Sequence, residues 1–107
     1  MPLVVSNREH DEAVMQYALQ YVFAGYDVRA RIEGWFEAPD YMNGYKPDIV
    51  ARKEDHFIII EVKKGDADWP KISAFELFAR DHGGFEFKVI VPPPAAPINE
   101  EQRVHAH

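Results

Sequence analysis

Residues 46–64 read KPDIVARKEDHFIIIEVKK, and this stretch predicts the centre of the fold. An apolar run over residues 48–51 is followed by a charged turn and then by a stronger apolar run over residues 57–60. β-Branched residues dominate both runs, which is typical of a buried, pleated surface. The pattern therefore predicts a β-hairpin with its turn at residues 53–55.

Three charged side chains interrupt the apolar arms of this hairpin: Asp48, Glu61 and Lys63. In an antiparallel pair the start of one strand lies beside the end of the next, so Asp48 is expected close to the other two. Side chains alternate between faces, which places Glu61 and Lys63 on one face and Val62 on the other. Buried carboxylates are tolerated when they are paired or bind a metal. The sequence therefore predicts a salt-bridge network or a metal site at this end of the hairpin.

The N-terminal segment predicts an amphipathic helix. Ser6 and Glu9 form a Ser-x-x-Glu capping box, and the helix is expected to run to about Gly25. The apolar residues along its predicted buried stripe are Val14, Ala18, Tyr21 and Val22, widened by Met15 and Leu19. We interpret this stripe as core packing.

The acidic residues of the first helical turns have two interpretations. Carboxylates at a helix N-terminus usually serve capping and the macrodipole, which explains Glu9. Asp11 projects closest to the apolar stripe, and Glu12 flanks the Met15/Leu19 side of the stripe. Both side chains therefore lie near the apolar face of the predicted helix.

The remaining segments complete an order of helix, three strands, helix and strand. Alternation predicts a strand over residues 27–33, followed by an aromatic-rich loop over residues 37–45. Asp66 or Asp68 is expected to cap a second helix with Pro70 in its first turn. A last strand is predicted over residues 85–91, paired parallel to the strand before it because a helix connects the two.

The composition indicates a folded globule. The 107 residues are 47% hydrophobic and 13% aromatic, which excludes a disordered chain. We expect one domain over residues 1–91 and a Pro-rich extended tail over residues 92–107. No apolar run approaches the ~20 residues of a membrane span, and no signal peptide is visible. The absence of cysteine excludes disulfides and thiolate metal sites and is compatible with a cytoplasmic location.

The net charge of −6 is unfavourable for binding phosphate, which requires Lys and Arg. The distribution of charge is more informative than the sum. The basic residues that fall in one window around the hairpin are Lys46, Arg52, Lys53, Lys63, Lys64 and Lys71. A basic region therefore surrounds the carboxylates.

The order of elements and the motif together resemble the PD-(D/E)XK nuclease superfamily, with its restriction-endonuclease-like or Holliday-junction-resolvase-like fold. Pro47-Asp48 corresponds to the first half of the motif, and Glu61-Val62-Lys63 to the second. The resemblance covers residues 6–91. It implies an α/β fold, with an αβββαβ core and a four-stranded mixed sheet flanked by helices.

The resemblance also implies a chemistry. Asp48, Glu61 and the Val62 carbonyl are expected to bind Mg²⁺, for which Mn²⁺ can substitute. Lys63 is expected to act on the attacking water or on the phosphorus. Superfamily members often add an acidic residue from the first helix, and residue type favours Glu12 for this place, whereas the helical wheel favours Asp11.

The implied activity is metal-dependent hydrolysis of phosphodiester bonds in DNA, either structure-specific or guided by a protein partner. Lys46, Lys64 and Lys71 are the candidates for nucleic-acid contacts. Cutting both strands of a duplex favours a homodimer. The alternative is a non-catalytic nucleic-acid-binding or assembly module that keeps the fold and uses the three charged residues as a structural ion network.

Overall fold

Six regular elements follow one another in the computed structural model, which describes residues 2–63 and 68–92, with side chains from residue 9 onward. The elements are α1 (Pro2–Phe23), β1 (Asp27–Ala30), β2 (Ile49–Lys53), β3 (His56–Val62), α2 (Trp69–Asp81) and β4 (Phe85–Ile90). The predicted αβββαβ order is therefore confirmed. Residues 93–107 lie outside the described part of the chain, so the proposed Pro-rich tail stays a prediction.

The four strands form one mixed sheet in the order β1-β2-β3-β4. β1 pairs antiparallel with β2, and β2 pairs antiparallel with β3. β3 pairs parallel with β4, as expected for two strands joined by a helix. β1, β2 and β3 thus form an antiparallel meander, and the predicted parallel pairing of the last strand is confirmed.

The hairpin predicted from residues 46–64 is the centre of this sheet. Its turn consists of Glu54 and Asp55, since Lys53 already pairs with His56. Glu54 takes a φ of 58°, which a tight two-residue turn requires. The register places Ile49 opposite Ile60, and it fixes which residues meet at the other end of the hairpin.

The central strand β3 is buried on both faces. Ile58 and Ile60 pack in a cluster with Val14 of α1, whereas Ile59 packs in a second cluster with Phe75 of α2. This two-sided burial explains the continuous apolar run, because alternation alone would leave one face polar. The sheet therefore lies between the two helices.

β1 ends at Ala30 and not at residue 33, so this predicted boundary is wrong. The chain turns instead, with the Trp35 N–H donating to the Ile32 carbonyl and Gly34 at a φ of 90°. The Trp35 indole donates to the Val28 carbonyl over 2.9 Å and folds the segment back on β1. One sheet-like contact continues beyond the strand: the Arg31 N–H donates to the Asp48 carbonyl over 2.8 Å.

α1 also differs from the prediction. The helix begins at Pro2, so Ser6 lies inside it and is not the N-cap. Proline suits the first helical position because its missing N–H has no partner there in any helix. Val14 and Ala18 are buried as predicted, but Met15, Leu19 and Val22 are partly exposed.

α2 agrees with the sequence more closely. The Asp68 side chain accepts a hydrogen bond from the Lys71 N–H, which confirms Asp68 as the N-cap. Pro70 lies in the first turn, and Ile72 and Phe75 form the buried face. Neither α1 nor α2 is long and apolar enough to cross a membrane, and these are the helices in the described part of the chain.

Candidate active site

Asp48 and Glu61 meet at the end of the central hairpin. Ile49 pairs with Ile60, so the residue before Ile49 and the residue after Ile60, Asp48 and Glu61, lie opposite each other. The Asp48 N–H lies 3.3 Å from Glu61 Oε1, and the Val62 N–H donates to Asp48 Oδ2 over 2.9 Å. Both carboxylates are buried, Asp48 completely and Glu61 to within 8% exposure. The hairpin thus brings together the two acids that the sequence singled out.

Asp48 is surrounded by donors. Arg31 Nη2 lies 2.9 Å from Oδ1, and His10 Nε2 lies 3.3 Å from Oδ2. Together with the Val62 N–H these groups come from β3, α1 and the residue after β1. A fully buried carboxylate is tolerated here because each of its oxygens has a partner.

His10 connects α1 to the end of β3. Its Nε2 lies 3.1 Å from the Val62 carbonyl oxygen as well as 3.3 Å from Asp48 Oδ2. On the other side of the ring, Nδ1 lies 3.7 Å from Asp11 Oδ1. A single imidazole nitrogen therefore faces both an Asp48 oxygen and the Val62 carbonyl.

Glu61 is held by Lys71 from α2. The Lys71 ammonium lies 2.8 Å from Glu61 Oε2, and both side chains are largely buried. Lys71 was predicted as a phosphate contact, and the structure places its ammonium on this carboxylate. A contact between Lys71 and nucleic acid stays a prediction. The contact that the structure shows is the ion pair with Glu61.

The pKa values of the three titratable groups reflect these contacts. Burial raises the pKa of Glu61 above its ordinary value of 4.5, the Asp48 charge raises it further, and Lys71 offsets part of the increase. Burial also acts to raise the pKa of Asp48, but the hydrogen bonds from His10 and Val62 and the nearby cationic charges hold it below 3.8. The Asp48 hydrogen bond raises the pKa of His10 above 6.5, against the opposing effect of burial.

The repulsion between the two carboxylates therefore raises the pKa of Glu61. Asp48 escapes this effect because its neighbours donate hydrogen bonds or carry positive charge. At neutral pH the site thus holds an ionised Asp48 against Arg31 and His10.

The other predicted site residues are placed as follows. Lys63 is half-buried directly after β3, where its N–H donates to the Ile90 carbonyl over 2.8 Å, and alternation puts its side chain on the Glu61 face. Lys46 lies over the Tyr41 ring, with 4.8 Å between Nζ and the ring centroid. Lys64 lies outside the described residues. Glu12 is exposed, and no described hydrogen bond or ion pair joins it to Asp48 or Glu61.

An open cleft of about 450 Å³ adjoins this site between the N-terminal half of α1 and the segment after β1. Its lining residues are His10, Asp11, Arg31, Ile32, Glu33 and Ala38. His10 and Arg31 are the two lining residues that also touch Asp48. The cleft therefore reaches the two side chains that contact Asp48.

Sequence reasoning missed His10 and Arg31. His10 precedes Val14 by one helical repeat of four, so it continues the buried stripe towards the N-terminus. Arg31 follows β1 and lies beside Asp48 through the β1–β2 pairing. Both signals were present in the sequence, but each depended on packing between elements.

The donor set fits a hard divalent cation, because carboxylate and carbonyl oxygens are the ligands such ions prefer. The Asp48 carboxylate and the Val62 carbonyl both lie near His10 Nε2, at 3.3 and 3.1 Å. Both oxygens of Glu61 are engaged, one with Lys71 and one with the Asp48 N–H. Within residues 2–63 and 68–92, no three His, Asp or Glu side chains already stand at metal-binding spacing. A bound ion would therefore need the backbone carbonyl, or a turn of the Glu61 side chain.

A mixed four-stranded sheet in αβββαβ order, with a buried Asp facing a Glu-x-Lys strand end, defines a restriction-endonuclease-like protein. The family model described as AHJR-like, REase_AHJR-like, matches residues 4–104. The chain belongs to this family. No curated protein and no solved structure matches the chain significantly.

Membership of a restriction-endonuclease-like family indicates a nuclease-type function and a nucleic-acid substrate. Proteins of this kind generally use divalent metal ions. The predicted superfamily and fold are thereby confirmed.

Proposed function

We propose that this protein is a metal-dependent nuclease that hydrolyses phosphodiester bonds in DNA. The observation that carries the proposal is the pair of buried carboxylates, Asp48 and Glu61, beside the Val62 carbonyl. Two residues that line the adjoining open cleft, His10 and Arg31, contact this pair through Asp48. Burying two acids side by side is costly even when both are paired, and such arrangements are typical of functional sites. Binding a divalent cation at a phosphodiester is a function that such a pair can perform.

Asp48, Glu61 and the Val62 carbonyl would hold Mg²⁺, or Mn²⁺ in its place. When bound, the ion supplies charge neutralisation at the phosphate and lowers the pKa of a coordinated water. The lowered pKa of Asp48, which follows from its hydrogen bonds to His10 and the Val62 N–H and from the nearby cationic charges, keeps this ligand ionised at neutral pH. Lys71 lowers the cost of ionising Glu61, whose pKa burial would otherwise raise still further.

Lys63 is the group that acts on the reacting atoms. It follows the strand that carries Glu61 and, by alternation, lies on the same face. From there its ammonium orients or deprotonates the attacking water, or stabilises the negative charge that develops on the phosphoryl oxygens. Arg31, whose side chain is 44% exposed in the cleft, supplies a second positive charge beside the scissile phosphate.

The substrate is selected by its shape or by a protein partner. A net charge of −6 gives little of the general phosphate attraction on which sequence-independent binding depends. We propose Lys46 and Lys64, which lie close to the site residues in sequence, as contacts to the phosphate backbone. Lys71 is the third proposed contact, and it lies at the site itself through its ion pair with Glu61. We assign DNA as the substrate, and RNA is included in the test.

A homodimer fits the cutting of two strands, because each subunit carries one site. α1 offers a surface for it: Met15, Leu19, Val22 and Phe23 repeat at helical spacing and are exposed. We call these four residues the outer α1 stripe. Residues 13–26 contain no charged side chain, so two copies can meet there despite their net charge.

The test uses labelled duplex, single-stranded, flap and four-way-junction DNA, and the matching RNAs, each with Mg²⁺, Mn²⁺ or EDTA. We expect cleavage of at least one DNA substrate with either metal and none with EDTA. Cleavage that persists in EDTA would contradict the metal-dependent mechanism. If the protein cleaved only the RNAs, its substrate class would be RNA and the assignment of DNA would be wrong.

The second candidate is a non-catalytic binding or assembly module. The observation in its favour is that Arg31, His10 and Lys71 already balance the two carboxylates, so the ion network is satisfied by protein groups alone. Thermal melting separates the candidates, since a metal that binds the native state raises the melting temperature by mass action. A melting temperature unchanged by millimolar Mg²⁺ and Mn²⁺ would favour the structural network.

A further inference from the structure

The His10 ring lies beside the proposed metal ligands Asp48 and Val62. Its Nε2 lies 3.1 Å from the Val62 carbonyl oxygen and 3.3 Å from Asp48 Oδ2, two of the three proposed ligand atoms. Such a nitrogen carries at most one hydrogen, so it cannot donate fully to both acceptors. The arrangement of two oxygens and one nitrogen is therefore better suited to a shared cation than to a single proton.

The distances agree with those of neighbouring ligands on one ion. Adjacent ligands of an octahedral cation with bonds of about 2.1 Å are about 3.0 Å apart. The two separations from His10 Nε2 fall close to this value without any movement of the backbone. His10 lies on the same helical stripe as Val14, whose side chain is completely buried, so the core fixes the helix that carries the ring.

We propose that His10 is a metal ligand of this site, and that its nitrogen makes the site prefer Mn²⁺ to Mg²⁺. This inference rests on the proposed function and adds a ligand to its site. Imidazole suits transition-metal ions, whereas Mg²⁺ favours oxygen ligands and water. His10 thus takes the place on the first helix that residue type had assigned to Glu12.

Asp11 is the positioning residue for this ligand. Its Oδ1 lies 3.7 Å from His10 Nδ1, on the side of the ring opposite Asp48. A carboxylate there favours the tautomer with the hydrogen on Nδ1 and leaves the Nε2 lone pair for the metal. Asp11 acts through His10 and does not itself touch the ion.

The test compares wild type with His10→Gln, which keeps a polar group able to hydrogen-bond Asp48 and Val62 but is a poor metal ligand. We expect His10→Gln to lose Mn²⁺ affinity roughly ten- to hundred-fold, and to lose less Mg²⁺ affinity, in calorimetric titrations. His56→Gln is the matched control, because His56 also contacts a carboxylate, Glu86, over 3.1 Å but lies at the opposite end of β3. Its Mn²⁺ affinity should equal that of wild type.

Electron spin-echo measurements on bound Mn²⁺ provide a direct readout. We expect ¹⁴N modulation from a coordinated imidazole in wild type and in His56→Gln, and its loss in His10→Gln. Mn²⁺ bound by wild type without ¹⁴N modulation would overturn the inference. So would His10→Gln binding Mn²⁺ as tightly as wild type.

The same experiment separates this inference from the function on which it rests. If wild type binds Mn²⁺ and Asp48→Asn does not, while His10→Gln is unaffected, only the role of His10 is wrong. If wild type binds neither Mn²⁺ nor Mg²⁺, the metal-dependent mechanism is wrong as well, and the inference falls with it.

Discussion

Asp48 is the residue on which the site depends most. Its carboxylate accepts from Arg31 and the Val62 N–H and contacts His10, and it is completely buried. Two adjacent acids considered alone would make Asp48→Asn relieve repulsion between carboxylates. In the structure, however, the ion-pair partners of Asp48 are Arg31 and His10, so the substitution removes favourable contacts.

We predict that Asp48→Asn abolishes cleavage and weakens metal binding, because it removes a charged ligand. It should also destabilise the metal-free protein by about 1–3 kcal/mol, since the amide has a single acceptor oxygen, whereas the two Asp48 oxygens accept from both Arg31 and the Val62 N–H. Cleavage assays, metal titration and urea unfolding measure the three effects. Asp40→Asn is the control, because Asp40 is an exposed partner of Arg29. Wild-type cleavage by Asp48→Asn would exclude Asp48 from the mechanism.

A substitution at Lys63 tests whether metal binding and phosphodiester cleavage depend on different residues. We predict that Lys63→Ala abolishes cleavage but keeps the affinity for metal, because the change removes the group acting on water or phosphate and leaves the ligands in place. Calorimetric titration with Mn²⁺ and a cleavage assay measure the two properties on the same sample. Lys88→Ala, an exposed lysine on β4, serves as the control. A large loss of metal affinity in Lys63→Ala would assign Lys63 a role in holding the carboxylates.

His10 makes the stability of the metal-free protein depend on pH. Its pKa is raised above 6.5 because it hydrogen-bonds Asp48, with Asp11 also facing the ring and Arg31 opposing the shift. A group with a raised folded-state pKa contributes stability that is complete below its unfolded pKa and is lost as the pH rises through the folded value. We therefore predict that the free energy of unfolding falls as the pH rises above 6.5.

Urea unfolding in EDTA across this pH range is the measurement, with His10→Gln as the reference. Glu61 also has a raised pKa, so its contribution to the free energy of unfolding likewise falls as the pH rises above 4.5. Because both proteins contain Glu61, the difference between them isolates the contribution of His10. Equal pH dependence in wild type and variant would show that the ring does not gain a proton on folding.

At the scale of elements, the hairpin was predictable and the helix contacts were not. The proximity of Asp48 to Glu61 follows from strand alternation and a short turn, both of which are local in sequence. The contact of His10 with Val62 requires α1 to cross the sheet at one particular angle, and the pairing of Lys71 with Glu61 requires α2 to dock beside β3. No local pattern specifies such distances between elements.

The link between the hairpin turn and β4 gives an element-scale prediction. Gly84 has a φ of 85°, and a Cβ at this position would lie 2.6 Å from the Asp55 carbonyl oxygen. The Phe57 N–H donates to the Gly84 carbonyl here, so the two strands meet backbone to backbone. We predict that Gly84→Ala destabilises the protein by about 2 kcal/mol or more, through strain and a clash with backbone.

Gly83→Ala is the matched control, because a Cβ there would meet nothing within 4 Å and its φ is not positive. Thermal melting of the two variants beside wild type measures the difference. If the two substitutions cost the same, the close approach at Gly84 does not constrain the sheet.

At the scale of the whole molecule, the uneven distribution of charge separates two surfaces. The cleft beside the site is lined by the charged or titratable side chains of His10, Asp11, Arg31 and Glu33. Residues 13–26, which carry the outer α1 stripe, contain no charged side chain. Phe23, at the end of this stripe, is 84% exposed. Large apolar side chains exposed side by side on one helix are typical of an interaction surface. A second copy of this chain is the partner we assign to it.

We therefore predict that wild type is a dimer of the 12.3-kDa chain and that Leu19→Lys with Phe23→Lys makes it a monomer. In a two-fold symmetric dimer the same surface of each copy faces that of the other copy. The double variant therefore brings like charges together at the interface, which disfavours association. Light scattering at micromolar concentration gives the mass, and circular dichroism checks that the fold persists, since both side chains are at least partly exposed. Phe36→Lys is the control, because Phe36 is 94% exposed but lies off the helix. A wild-type mass equal to that of one chain would exclude the homodimer, and a dimer that survives both substitutions would move the interface away from α1.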